Sequence, residues 1–447
     1  MGKRLFGTDG IRGVAGGYPL DEATVYAFGV ALGDDALGQA EQPEIVIGAD
    51  TRESGTWIAE TVAGGLESRG AKVRHAGIIT TPGVAYLTRS GPFVAGVMIS
   101  ASHNPYEDNG IKVFGHNGFK LPDEEESVIE DEILRLRDGE ELTPRSTRLV
   151  ADETLPRQYL EYLLASASVR LDGVKLAIDC GNGASYRLAP ELFRRLGASV
   201  TELACEPDGR NINRDCGALH TENLRQTVMA GGFDFGVAFD GDADRAMFVS
   251  PAGKVVNGDA VLLAAGRALL AAGHLPGNTV VATVMSNLGL ERALAGDGIR
   301  MVRTPVGDKY VLEEMERLGA MLGGEQSGHV IFREYSTTGD GMLTALRLFE
   351  IARRAGMTLD ELTADLRTYP QKLVNIRVRE RKDFQQVPAI AEEIRRAEEE
   401  MGDTGRVLVR YSGTEPLARV MVEAAQPEHV DRFTARIAEA IRREMGV

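Results

Sequence analysis

The chain is 447 residues long, 43% hydrophobic and 26% charged, with a formal net charge of −16. That length exceeds one ordinary domain of roughly 150 residues and points to about three. The acidic balance argues against general nucleic-acid binding, which needs a basic face, and apolar runs such as Val261–Gly266 are far shorter than the roughly 20 residues a bilayer span demands.

Over the first two-thirds, short β-rich runs alternate with helical patterns, which predicts βαβ units and mostly parallel sheets. In the first cycle the pattern predicts strands at Glu44–Gly48, Lys72–Ile78 and Val94–Ile99 around a helix at Thr56–Arg69. A charged helical link over Asp123–Arg137 and a polar stretch to Asp152 lead to the second cycle. There, strands are expected at Lys175–Asp179, Ser199–Leu203 and Phe235–Phe239, with a helix at Ala184–Leu196. The third runs through Thr279–Thr283, Leu288–Ala295, Arg300–Thr304 and Asp308–Leu318 to a short strand at Ala320–Leu322. From about Gln371 the order becomes β-α-β-β-α (Lys372–Val378, Val387–Met401, Val407–Arg410, Arg419–Glu423, Glu428–Met445), which suggests a smaller α+β domain.

In each cycle a late strand opens into a loop of unusual residues, and sites in open α/β sheets collect beyond the carboxyl ends of strands. The first loop, Ser100-Ala101-Ser102-His103-Asn104-Pro105, reads as a tight exposed turn presenting a hydroxyl. A hydrolase nucleophile with His103 as base is disfavoured, because adjacent side chains point apart in extended chain and no GxSxG elbow is present. An ordinary Ser/Asn-rich turn remains open on the loop alone.

The second loop, Asp240-Gly241-Asp242-Ala243-Asp244-Arg245, places carboxylates at every second residue after an apolar strand. Such a cluster is costly without a cation. Arg245 and Pro251 stand where an EF-hand needs Gly and Glu, so one Mg²⁺ completed by phosphate oxygens or water suits it best. Arg245 alongside would add a donor for the same phosphate. The third loop, Gly323–His329, flanks polar side chains with glycines, as a polyhydroxyl ligand requires and as ordinary turns also do. In Arg410-Tyr411-Ser412-Gly413-Thr414-Glu415-Pro416, hydroxyls, a backbone N–H nest and a guanidinium fork suit a phosphate. Gly181-Asn182-Gly183 is half a dinucleotide fingerprint and reads better as a tight strand-to-helix turn.

Taken in order, Phe6–Gly13, Ser100–Pro105, Asp240–Arg245, Gly324–His329 and Arg410–Pro416 resemble the α-D-phosphohexomutase superfamily across essentially the whole chain. The resemblance implies three related mixed-sheet α/β domains plus a smaller C-terminal α+β domain around a central cleft. The boundaries expected are 1–152 (phosphoserine loop), 153–253 (metal loop), 254–369 (sugar-binding loop) and 370–447 (phosphate-binding loop). It implies that Ser102 carries a phosphoryl group and binds Mg²⁺ with Asp240, Asp242 and Asp244. It also makes Lys112 a general acid/base, with Arg12 and His103 nearby and Arg12 lowering the pKa of Lys112. Arg245, Lys309, Glu325, Ser327 and His329 would contact substrate. Arg410, Ser412, Gly413 and Thr414, helped by Arg419, would hold the phosphate not being transferred.

The implied reaction moves a phosphoryl group between O1 and O6 of a hexosamine monophosphate through a 1,6-bisphosphate, which also serves as activator. Reorientation of that intermediate would call for a mobile C-terminal domain, hinged near Tyr369–Lys372. The opening motif and Gln326 resemble the glucosamine branch; a phosphomannomutase or phosphoglucomutase is the alternative within the superfamily. A phosphatase, or a sugar-phosphate-binding regulator without turnover, fits less well, since neither needs both a phosphoacceptor and a second phosphate cradle. Partners are expected to be small sugar phosphates, with no nucleic acid or membrane, in a monomer or homodimer. Cys180, Cys205 and Cys216 form no CxxC and no hydrophobic leader precedes Phe6, so a cytoplasmic location is expected.

Overall fold

A computed structural model describes residues 5–7, 9–139, 142–412 and 416–447. It divides into two compact units, residues 1–283 with 302–363 and residues 284–301 with 364–447.

In the larger unit, one device occurs in three sheets: a strand of the parallel core runs into a loop and returns antiparallel. In the first sheet Lys72–Ile78, Glu44–Ala49 and Ala95–Ile99 are parallel, and Ala95–Ile99 returns as Asp108–Gly115. Gly10–Val14 then pairs antiparallel with that return strand. In the second, Ser199–Leu203, Lys175–Asp179 and Phe235–Phe239 are parallel, and Phe235–Phe239 returns as Ala246–Val249. In the third, Leu322–Gly324 lies parallel to Thr279–Thr283 and returns as Val330–Phe332. The return strands correct the mostly parallel reading and support the mixed-sheet one.

Ala95–Ile99, Phe235–Phe239 and Thr279–Thr283 are buried along their whole length. Covered on both faces, they read as continuous apolar runs rather than alternating ones. Helices cover the first sheet closely. Where Glu22–Gln39 crosses Gly55–Ser68, a Cβ on Gly29 would lie 2.3 Å from the Val62 carbonyl oxygen and one on Gly65 2.6 Å from that of Tyr26. The helix expected at Ala184–Leu196 covers only Leu188–Arg195, because Gly181 and Asn182 turn through the left-handed region first (φ 57° and 49°). The strand expected at Ala320–Leu322 is found at Leu322–Gly324. No helix among the described residues is long and apolar enough to cross a membrane.

The smaller unit is an antiparallel sheet with Leu417–Ala424 between Gln371–Arg377 and Gly405–Tyr411. Helices Pro388–Met401 and Pro427–Met445 bury Ile390, Ile394, Ala397, Met401, Val430, Phe433, Ile437 and Ile441 at helical spacing against Ile376, Val420 and Val422. The helix Leu288–Gly296 belongs here too. Its Leu288 N–H donates to the fully buried Glu423 at 3.0 Å. Arg406 pairs with the same carboxylate and donates to the carbonyls of Val284 (2.8 Å) and Ser286 (2.7 Å). Tyr369 lies inside this unit, its N–H and C=O both bonded to the Asn287 side chain at 2.9 and 3.0 Å.

Candidate active site

The loop after Ala95–Ile99 is not the exposed turn its composition suggests: Ser102 is 1% exposed and takes φ +54°. Its neighbours leave room by being glycine. A Cβ on Gly110 would lie 2.6 Å from the Ser100 carbonyl oxygen, and one on Gly241 2.5 Å from that of Ser102. Backbone therefore meets backbone, and the Ser102 Oγ reaches the second loop, donating to Asp240 Oδ2 at 2.6 Å. The His103 ring nitrogen Nδ1 stands 3.3 Å from the same Oγ. Burial, then Arg245 and Arg12, lower the His103 pKa to about 4, so its ring is neutral at pH 7.

The aspartates lie together and buried, with one oxygen of each within 4.8 Å of the others. Ala243 between them is also left-handed at φ +55°. Burial and the neighbouring Asp244 and Asp242 carboxylates push the Asp240 pKa well up. Burial would raise Asp242 as well, but Lys112 and the Thr81 hydroxyl outweigh it and hold its carboxyl low. Asp242 Oδ2 accepts from Lys112 Nζ at 2.9 Å and from Thr81 Oγ1 at 2.5 Å. The Oδ1 atoms of Asp242 and Asp244 are buried and accept no hydrogen bond. Unused carboxylate oxygens converging on one point are a donor set that fits a hard dication. Arg245 keeps its Nε 3.8 Å from Asp244 Oδ1, and its backbone N–H donates to Asp240 Oδ1 at 3.2 Å.

Lys112 is brought to the same point from the return strand Asp108–Gly115, its Nζ 3.0 Å from Asp9 and 3.5 Å from Asp244. The expectation that cations lower its pKa is reversed. Burial and Arg12 do push it down, but Asp242, Asp9 and Asp244 together raise it well above the ordinary lysine value. Arg12 pairs with Asp9 and extends to the Ala101 carbonyl at 3.5 Å.

In the third loop Glu325 accepts from the Gly307 N–H and the Ser327 hydroxyl, each at 3.2 Å. Gln326 turns away to donate to Asp259 at 3.1 Å. The loop is stitched to the metal loop by the Ala246 N–H on the Gly328 carbonyl (3.1 Å) and the bridge between Arg245 and His329. His329 is buried 3.6 Å from Asp308, which receives Lys120 at 2.5 Å. Lys309 is drawn off to Asp123.

In the smaller unit, Arg410 and Arg419 stand opposite each other on neighbouring strands. Burial and the Arg419 charge lower the Arg410 pKa. Arg419 donates to the Ser412 hydroxyl at 3.3 Å, and no carboxylate pairs with Arg410 among the described residues. Gly413 and Thr414, expected in the same cradle, lie outside the described residues.

Sequence reasoning missed Asp50, Arg52, Thr81, Lys120 and Asn213, and held Asp9 and Asp308 only as members of the Phe6–Gly13 and Thr304–Lys309 stretches that the resemblance marks, without a role of their own. Asp50-Thr51-Arg52 could have been found by the rule that exposed the other loops, since it follows the parallel strand Glu44–Ala49.

Profiles of the phosphoglucomutase/phosphomannomutase family match the chain in order: alpha/beta/alpha domain I over residues 3–140, domain II over 157–253, domain III over 257–369 and the C-terminal domain over 373–440. The chain belongs to this family. Within it, the chain is 73% identical to a phosphoglucosamine mutase of Solibacter usitatus, covering 100% of both sequences. It is 50% identical to a phosphoglucosamine mutase of Koribacter versatilis, covering 100% of this chain and 98% of that protein. A solved structure of a phosphoglucomutase/phosphomannomutase family protein from Burkholderia thailandensis superposes with a TM-score of 0.80 at 24% identity, covering 98% and 99% of the two chains, and shares the fold.

Proposed function

We propose that this enzyme interconverts glucosamine 6-phosphate and glucosamine 1-phosphate through a phosphorylated Ser102 and a 1,6-bisphosphate intermediate, supplying amino-sugar nucleotides for cell-wall precursors. One observation carries the reading. In a chain 73% identical to a phosphoglucosamine mutase, the Ser102 hydroxyl donates at 2.6 Å to one member of a buried three-aspartate cluster that includes oxygens without partners. His103, whose side chain was expected to point away from Ser102, does stand 3.3 Å from that hydroxyl, but the hydroxyl is donated to a buried anion cluster, which suits a carrier whose phosphate arrives together with a cation.

Asp240, Asp242, Asp244 and the Ser102 phosphate would hold one Mg²⁺, which draws charge from a loose phosphoryl-transfer transition state. Arg245, with its Nε unpartnered, is placed to donate to the same phosphate. Lys112, held as a full ammonium by its carboxylates, would give a proton to the sugar oxygen as the phosphoryl group leaves it for Ser102, whose own hydroxyl proton passes to its acceptor Asp240. In the opposite half-reaction Lys112, left neutral, would take the proton from the attacking hydroxyl while Asp240 returns its proton to Ser102 Oγ. Arg12 and neutral His103 flank that transfer. Glu325 and Ser327 grip sugar hydroxyls, with His329 and Lys309 at the edge of the same loop pair. Arg410, Ser412 and Arg419, with Gly413 and Thr414, hold the phosphate at rest; the facing Arg410 and Arg419 guanidinium groups supply cationic donors for an anion there.

Intact-mass measurement of the purified enzyme should show one added phosphate, mapped to Ser102 and absent from Ser102→Ala together with all mutase activity. An active enzyme that never carries that phosphate would sink the reading. A phosphomannomutase or phosphoglucomutase is the alternative, and a clear kcat/KM preference for mannose 1-phosphate or glucose 1-phosphate over glucosamine 1-phosphate would select it.

A further inference from the structure

The strand Glu44–Ala49 ends in Asp50-Thr51-Arg52, which lies directly behind the Ser102 loop. The side chains of Asp50 and Arg52 are fully buried and paired with each other. Arg52 spends its second terminal nitrogen on the loop, donating to the carbonyls of Ser102 at 3.2 Å and Asn104 at 2.6 Å. Asn213, from the second-sheet region, donates to the same carbonyls at 2.9 and 3.2 Å. Asp50 works on the other side of the loop. It accepts from Ser100 Oγ at 2.6 Å, and that Oγ accepts from the Ser102 N–H at 2.9 Å. Every one of these bonds acts on the peptide groups flanking Ser102 or on Asn104, and none uses the Ser102 hydroxyl.

A non-glycine residue at φ +54° is strained and reverts unless its surroundings fix it. We infer that Arg52 and Asn213 are positioning residues for the phosphoryl carrier: they clamp the Ser102 and Asn104 carbonyls so that the Ser102 side chain stays aimed at the aspartate cluster whether or not it carries phosphate. The clamp turns both carbonyl oxygens toward the Arg52 guanidinium and the Asn213 amide N–H donors and away from the phosphate, whose charge they would repel. It also ties the carrier to two sheets at once, since Arg52 follows a strand of the first and Asn213 belongs to the connection between Ser199–Leu203 and Phe235–Phe239 of the second.

The inference rests on the phosphoserine reading, and the test separates the two. Arg52→Lys keeps a charge for Asp50 but cannot reach Asp50 and two carbonyls at once. It should lower kcat about 100-fold, the effect of a misplacement near 1 Å, with KM for glucosamine 6-phosphate nearly unchanged. Asn213→Ala removes one donor without stranding a buried carboxylate, so it serves where Arg52→Lys fails to fold, and should lower kcat about tenfold. The deciding readout is the fate of phosphate on labelled phosphoenzyme: a loosened carrier loses more of it to water and less to the sugar. A merely structural role would lower the folded fraction and leave that partition as in wild type. Variants with wild-type partition and with kcat per phosphorylated site within about twofold of wild type overturn the clamp. A wild-type enzyme that carries no phosphate on Ser102 instead overturns the proposed function.

Discussion

Two charged clusters in this molecule are built on opposite rules. Around Ser102, three buried aspartates and Asp9 are offset by Lys112, Arg12 and Arg245, so that most charges have an opposite within 4 Å. In the smaller unit, Arg410 faces Arg419 across neighbouring strands, like against like. The first cluster is preorganised: its fixed charges already hold the geometry in which phosphoryl transfer is easiest, and no reorganisation is needed at the moment of reaction. The second sets two guanidinium groups side by side, so an arriving anion meets both of them. Under the proposed function, phosphoryl transfer falls to the first cluster and reversible phosphate binding to the second.

The largest expected effect breaks the balanced cluster. Asp242 anchors Lys112 at 2.9 Å and Thr81 at 2.5 Å while keeping one oxygen free of hydrogen bonds. Asp242→Asn should lower kcat by about 10²–10³-fold, the scale of losing one preorganised electrostatic contact, and should shift activation by added Mg²⁺ to higher concentration. Steady-state kinetics across a Mg²⁺ titration checks both; a variant with near wild-type kcat would mean that the cluster does not organise the transfer.

The like-charged pair should respond in the opposite sense. Arg410→Met removes a like-charge contact and should leave the unliganded protein unharmed or more stable by about 0.2–1 kcal/mol. The same change should raise KM for glucosamine 6-phosphate roughly 10- to 100-fold, since a hydrogen bond to a charged group contributes about 1.5–3 kcal/mol. Inorganic phosphate should then raise the melting temperature of the wild type more than that of the variant. Equal phosphate stabilisation of both proteins would remove Arg410 from the cradle.

The two clusters also differ in how far they could be read from sequence. Asp240, Asp242 and Asp244 are legible because a single loop carries all three, and Arg410 and Ser412 because they close one strand. Much of what holds Ser102 is not local: Asp50 and Arg52 lie about 50 positions away, Asn213 111 and Asp240 138. Asp50 and Arg52 reach Ser102 when the first sheet forms, Asn213 and Asp240 only when the two sheets dock. The buried parallel strands announce themselves as apolar runs, but the return strand Asp108–Gly115 does not, because it buries Asn109 and Lys112 along with Ile111 and Val113. A strand that delivers polar groups to a site loses the alternation by which strands are recognised. The sign of the Lys112 shift is not legible either: Arg12, Asp9, Asp242 and Asp244 all stand in visible motifs, but only the fold decides that three carboxylates outnumber the one guanidinium around the ammonium.

The smallest effect tests whether balance extends beyond the reacting loops. Asp340 caps the helix Gly341–Ala355, accepting from the Leu343 N–H at 2.9 Å and from the Tyr159 hydroxyl at 2.7 Å. No cation is in hydrogen-bond contact with it among the described residues, and burial raises its pKa from 3.8 to about 6. A carboxyl that is easier to protonate when folded binds more protons in the native state. Its contribution to stability is therefore fully present below about pH 4 and lost as pH rises through about 6. Asn caps helices as well as Asp does and keeps the shape, so Asp340→Asn should flatten the pH dependence of stability between pH 4 and 6 and add about 1 kcal/mol above it. Urea unfolding at several pH values measures that slope. An unchanged slope would show that Asp340 is as well compensated as the aspartates beside Lys112.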